Sequence, residues 1–73
     1  MKKELFLEEI KEILLLEEKN ITTDTPIEID SMASLLLIAF FDEKFSKSIT
    51  QDEIKEMKQI NDLINFVGTD NLT

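Results

Sequence analysis

Apolar and polar residues recur at helical spacing in several stretches of the chain. In the first, Phe6, Ile10, Ile13 and Leu14 lie three and four residues apart, with Glu8, Glu9, Lys11 and Glu12 between them, which predicts a helix over residues 3–18. Lys19-Asn20 reads as its stop, because Asn tolerates the left-handed backbone that ends many helices. A second helix is expected from Asp30-Ser31, both good N-cap residues, to about Phe45. A short third opens at Thr50-Gln51-Asp52-Glu53, where Thr and Glu can satisfy each other's orphan amides, and is expected to end near Lys58. In the fourth, Ile60, Leu63, Ile64 and Val67 occupy i, i+3, i+4 and i+7, and Gly68 follows as the C-terminal cap. Residues 69–73 are expected to fray.

Between the first two helices, residues 21–29 read as a long loop. Thr22, Thr23, Asp24 and Thr25 bond locally in turns, and Pro26 holds the residue before it extended. Ile21, Ile27 and Ile29 are the apolar exceptions, expected to plug the loop down over the helices. No stretch alternates with period two, and no turn pair marks a hairpin. The expected fold is all-α: one domain over residues 1–73, a small four-helix bundle with a long first loop and a short third helix.

Helix two carries two apolar stripes rather than one. At 100° per residue, Leu37, Ile38, Phe41 and Phe45 share one side, with Phe40 on a flank. Met32, Leu35, Leu36 and Ala39 share nearly the opposite side. Either the helix is buried all round, or the first stripe faces the core and the second faces a partner. Four helices in so short a chain hardly suffice to enclose one of their number. An exposed apolar stripe invites an explanation by binding.

Composition narrows the chemistry. The chain has no His, Cys, Tyr, Trp or Arg, so disulfides, almost all zinc chemistry, the common general base and the bidentate phosphate clamp are absent. With little room for a concave pocket, an enzyme is not expected. The lack of Cys suits a cytoplasmic protein. Sixteen acidic residues against eight lysines leave a net charge of −8. Nucleic acid and anionic membranes would repel such a chain, and a protein with a basic docking surface would attract it. The same acidity also serves plain solubility. Glu4, Glu8 and Glu9 interrupt any secretory apolar core after Met1-Lys2-Lys3, and no apolar run approaches a membrane span.

Ser31 is the candidate for chemistry. One reading makes it an ordinary helix cap. The other uses the free amides and positive potential of a helix start, which favour a phosphate ester there. Asp30 beside it suits a Mg²⁺ ion needed by a phosphate-transferring enzyme, because Mg²⁺ is usually held by one or two carboxylates plus phosphate oxygens.

Here the sequence resembles the acyl carrier protein family. Ile29-Asp30-Ser31-Met32 is similar to that family's Asp-Ser-Leu signature, with Met for Leu. The acidic stretch closed by Phe at the end of helix two, Asp42-Glu43-Lys44-Phe45, resembles it too, as does the order of helices over almost the whole chain. The resemblance implies a non-enzymatic carrier. A phosphopantetheinyl transferase would place 4′-phosphopantetheine from coenzyme A on Ser31, with Asp30 helping to bind that enzyme's Mg²⁺. The arm's thiol would carry acyl groups as thioesters, as in fatty acid biosynthesis and related lipid metabolism. Met32, Leu35, Leu36, Ala39 and Glu43 would meet the loading ligase, acyltransferase or synthase, and the carrier would act as a monomer.

The chain departs from the fatty acid carriers where they place acids along helix two: it has Ala33 and Leu36. That favours a specialised pathway with a dedicated loading enzyme. Two other readings remain open at this point. One is an aminoacyl or D-alanyl carrier using the same serine and arm, and the other is an unmodified helical adaptor that binds through the second stripe.

Overall fold

The computed structural model describes residues 1–17 and 21–73. It is helical: α1 (Lys3–Ile13), α2 (Ser31–Phe45), α3 (Gln51–Lys55) and α4 (Ile60–Val67), followed by a 3-10 turn at Thr69–Asn71. Among the described residues no strand forms, and the one β-bridge joins Pro26 to Gln59.

Helix α1 is shorter than the expected 3–18. Leu14 closes it, Leu15 turns left-handed with φ 55°, and the Leu16 N–H reaches back to the Lys11 carbonyl at 3.0 Å while that of Leu15 points to Glu12. This is a Schellman ending with Leu where Gly is usual. The cause lies in packing. Leu14 and Leu16 both pack on the core, and residues two apart on a helix point about 200° apart. Leaving the helix brings both inward and turns Leu15 out, 83% exposed. The expected stop at Lys19-Asn20 lies outside the described residues.

Helix α3 also ends early, at Lys55 rather than near Lys58, although its Thr50–Glu53 capping box is present. The Asp62 carboxylate accepts from the backbone N–H of both Lys58 and Gln59, at 2.8 and 3.2 Å. Ile27 N–H bonds the Lys58 carbonyl and Ile60 N–H bonds that of Thr25. The α3–α4 link is thus stretched along the first loop, and its amides are spent there instead of in a further helical turn. The same contacts tie the loop down, with Ile27 buried and Ile21 and Ile29 packed at the edge of the core.

The core gathers Phe6 and Ile10 of α1, Leu37, Phe40 and Phe41 of α2, Ile54 of α3, and Ile60, Leu63, Ile64 and Val67 of α4, together with Ile27 of the first loop. All five phenylalanines join it: Phe6, Phe40 and Phe45 contact one another and Phe41 contacts Phe40 and Phe45, with centroids about 6 Å apart, and Phe66 lies 5.0 Å from Phe41. Tilted and edge-on pairs at these distances add to the burial of the rings. Phe40, expected on a flank of α2, is therefore core.

Gly68 takes φ 88° and ψ 130°, an extended conformation open to glycine that turns the chain out of α4. Residues 69–73, expected as a frayed tail, are placed against the other end of the chain. Thr73 N–H bonds the Met1 carbonyl, and Lys3 N–H bonds the Thr73 carbonyl.

Candidate functional site

The start of α2 is built by Asp30. Its backbone is extended, and its Oδ1 accepts from the Ala33 N–H at 2.8 Å, so Asp30 is the cap and Ser31 the first helical residue. The capping reading of Ser31 is corrected by this geometry: its Oγ is not spent on the backbone of α2. Ser31 is exposed, and its Oγ instead accepts from Lys55 Nζ of α3 at 3.1 Å.

One turn on, Ser34 is completely buried. Its hydroxyl donates to the Ser31 carbonyl at 2.7 Å and accepts from Gln51 Nε2 at 2.8 Å. A buried hydroxyl satisfied on both sides fixes the approach of two elements, since either partner left unpaired would be costly. Here it fixes α3 against the first turn of α2. Gln51 and Lys55 lie four residues apart and so share a face of α3, which brings the ammonium to Ser31. Residues Asp30 and Lys55 also border an open groove with Ile27, Ile29, Met57 and Lys58.

The second stripe of α2 is exposed. Met32 is 73%, Leu35 60% and Leu36 49% exposed, and Ala39 is exposed beside them. Glu43, also exposed, follows Leu36 by seven residues and so continues this stripe. Ala33 is buried, so its lack of charge is a packing requirement. Leu36 is the position where the exposed face itself lacks an acid.

Sequence reasoning missed Ser34, Gln51 and Lys55. A serine inside an apolar helix was a usable signal for Ser34, because such a side chain seeks a partner. Nothing local marks Gln51 or Lys55, whose partners are remote in sequence. Among the described residues, no group of three or more acidic side chains is arranged to hold a metal ion. No helix there is long and apolar enough to cross a membrane.

The arrangement thus defines a small helical protein with an accessible serine at a helix start and an apolar stripe beside it. Compared with known proteins, the chain is similar to an acyl carrier protein of Kocuria rhizophila, 34% identical over 50 residues. The matched stretch is 68% of this chain and 59% of that relative, so the chain spans less than two thirds of the relative's length. No protein-family model matches the chain, and no solved structure does.

Proposed function

We propose that this chain is an acyl carrier protein, a carrier and not an enzyme, loaded through a 4′-phosphopantetheine arm on Ser31. The observation that carries the reading is the Ser31 hydroxyl: exposed, in the first turn of α2, free of capping duty and beside a cation. Those features fit the group, because a phosphodiester there meets the unpaired amides of the first turn and the Lys55 ammonium. The likeness to a protein named acyl carrier protein supports the same reading.

In the modification, Ser31 Oγ attacks the phosphorus that bears pantetheine in coenzyme A. The new bond is Oγ–P, adenosine 3′,5′-bisphosphate leaves, and the serine proton passes to a base on the transferase. Asp30, whose Oδ1 holds the cap, would offer its carboxylate to that enzyme's Mg²⁺. Once bound, the arm supplies the thiol this cysteine-free chain lacks, and so an acyl group carried as a thioester. Tethering raises that group's effective concentration at a docked enzyme.

The exposed Met32, Leu35, Leu36 and Ala39, with Glu43 at the end of the stripe, form the docking face for the transferase and the loading enzyme. An apolar Leu36 in place of an acid suits a dedicated partner in a specialised pathway better than a basic fatty-acid enzyme. The test is intact-mass measurement after incubation with a phosphopantetheinyl transferase and coenzyme A. A single added phosphopantetheine on the wild-type chain, absent in Ser31→Ala, supports the carrier. No uptake by the wild type refutes it and leaves the stripe as the face of an unmodified adaptor.

A further inference from the structure

Resting on the reading of Ser31 as the modified residue, we propose that Lys55 is the positioning residue for the arm. It holds the Ser31 hydroxyl in the unmodified chain and becomes the counter-cation of the phosphodiester formed there. Ser31 and Lys55 lie on different helices, 24 residues apart in sequence, yet Nζ is 3.1 Å from Oγ. Their meeting does not depend on the reach of a flexible side chain alone. The buried Ser34 hydroxyl and the Gln51 amide lock α3 onto the first turn of α2, and Lys55 is the next residue on the locked face.

Esterification converts Oγ from a hydroxyl into a bridging oxygen and places the phosphate's non-bridging oxygens two bonds beyond it. A lysine suits this change. Its compact ammonium has three donors on a flexible stem, so it can release Oγ and follow the charge. The neutral hydrogen-bond acceptor is replaced by an anionic one, and a charge-assisted bond is the stronger. Glu28, Asp30 and Lys58 border the same groove. The two carboxylates would repel a phosphate, which makes a cation beside Ser31 more consequential. The arm is thereby rooted on the α3 side of the helix start. The apolar stripe is left clear for the partner.

The experiment compares unmodified and modified full-length protein in the wild type, Lys55→Met, Lys55→Arg and, as a distant control, Lys44→Met. Melting temperature and the ³¹P resonance of the phosphodiester are read in each. Modification should raise the melting temperature of the wild type by about 1–8 °C more than that of Lys55→Met, the range for one exposed ion pair in a domain this small. Lys55→Arg should recover the difference, and Lys44→Met should keep it. The gap should close at about 1 M salt, where the screening length falls to ~3 Å. The ³¹P resonance should move in Lys55→Met alone.

Equal melting shifts and an unmoved ³¹P resonance in a fully modified Lys55→Met protein would overturn the role of Lys55 and leave Ser31 as the site. Failure of the wild type to take up the arm would overturn both. Should Lys55→Met fail to fold, the pairing is read in Lys55→Gln with the same expectations.

Discussion

Leu36 and Leu37 are neighbours in sequence with opposite fates in the structure, and they test the two faces of α2. Leu36 is 49% exposed and Leu37 is completely buried. Full burial of a leucine contributes about 1.5–3 kcal/mol, so about half of that, roughly 1 kcal/mol, is at stake at Leu36. Leu36→Glu retains helix propensity and part of its aliphatic stem, so its cost should be about 1 kcal/mol or less. Leu37→Ala leaves a cavity and should cost about 2–5 kcal/mol. At roughly 0.05–0.15 kcal/mol per residue, the whole domain has only about 4–11 kcal/mol to lose. In thermal melts followed by circular dichroism, each kcal/mol corresponds to about 4–8 °C. Leu36→Glu should therefore melt within about 8 °C of the wild type, and Leu37→Ala at least about 8 °C and up to about 40 °C below it. Leu36→Ala separates lost apolar area from the added charge. On the binding side, Leu36→Glu should weaken a partner that packs on the stripe by about tenfold or more. If Leu36→Glu melts as low as Leu37→Ala, the outward stripe is wrong. If it folds and the loading enzyme binds it unchanged, the stripe is not the docking face.

Other outcomes follow from the site and the charge. Asp30→Ala removes the cap of α2 and should cost about 1 kcal/mol, whereas Ser31→Ala, which caps nothing, should stay within roughly 0.5 kcal/mol; equal losses in a urea titration would return the cap to Ser31. Ser34→Ala should cost about 1 kcal/mol, and adding Gln51→Ala should cost less than the separate losses combined, because the two share one bond; strict additivity would show that the α2–α3 link carries nothing. Asp42, Glu43, Asp52, Glu53 and Glu56 are all exposed near the junction of α2 and α3. Salt should therefore raise the melting temperature by screening their repulsion, and a melt indifferent to salt would refute that.

Helix α4 was readable because one periodic signal determined it: Ile60, Leu63, Ile64 and Val67 are all buried and Gly68 follows them. The two faces of α2 were readable for a related reason, since a helical wheel separates Leu37 and Phe41 from Met32, Leu35 and Leu36 without any knowledge of neighbours. Phe40 and Ala33 were not. Both lie between the stripes, and which intermediate positions are buried depends on how α1, α3 and α4 close around the helix. The early ends of α1 and α3 were hidden for another reason. Leu15 does not look like a residue that turns left-handed, and no local feature of Lys58 or Gln59 shows that Asp62 takes their amides. In both places tertiary packing overrode local propensity, as it often does where a helix has no strong stop of its own.

The same division runs through the candidate site. Ser31 and Asp30 were legible because what marks them is local, a serine and a carboxylate at a helix start. Lys55 and Gln51 were not, because α3 is only five residues long and its polar side chains look like an ordinary solvated face. What gives them meaning is the buried Ser34 hydroxyl, which fixes the angle at which α3 meets α2. A serine can be recognised from the residues beside it, but the cation that meets it comes from a helix whose placement no periodicity encodes. The exposed serine and the apolar stripe therefore belong to the sequence of α2, and the cation beside that serine to the packing of α3.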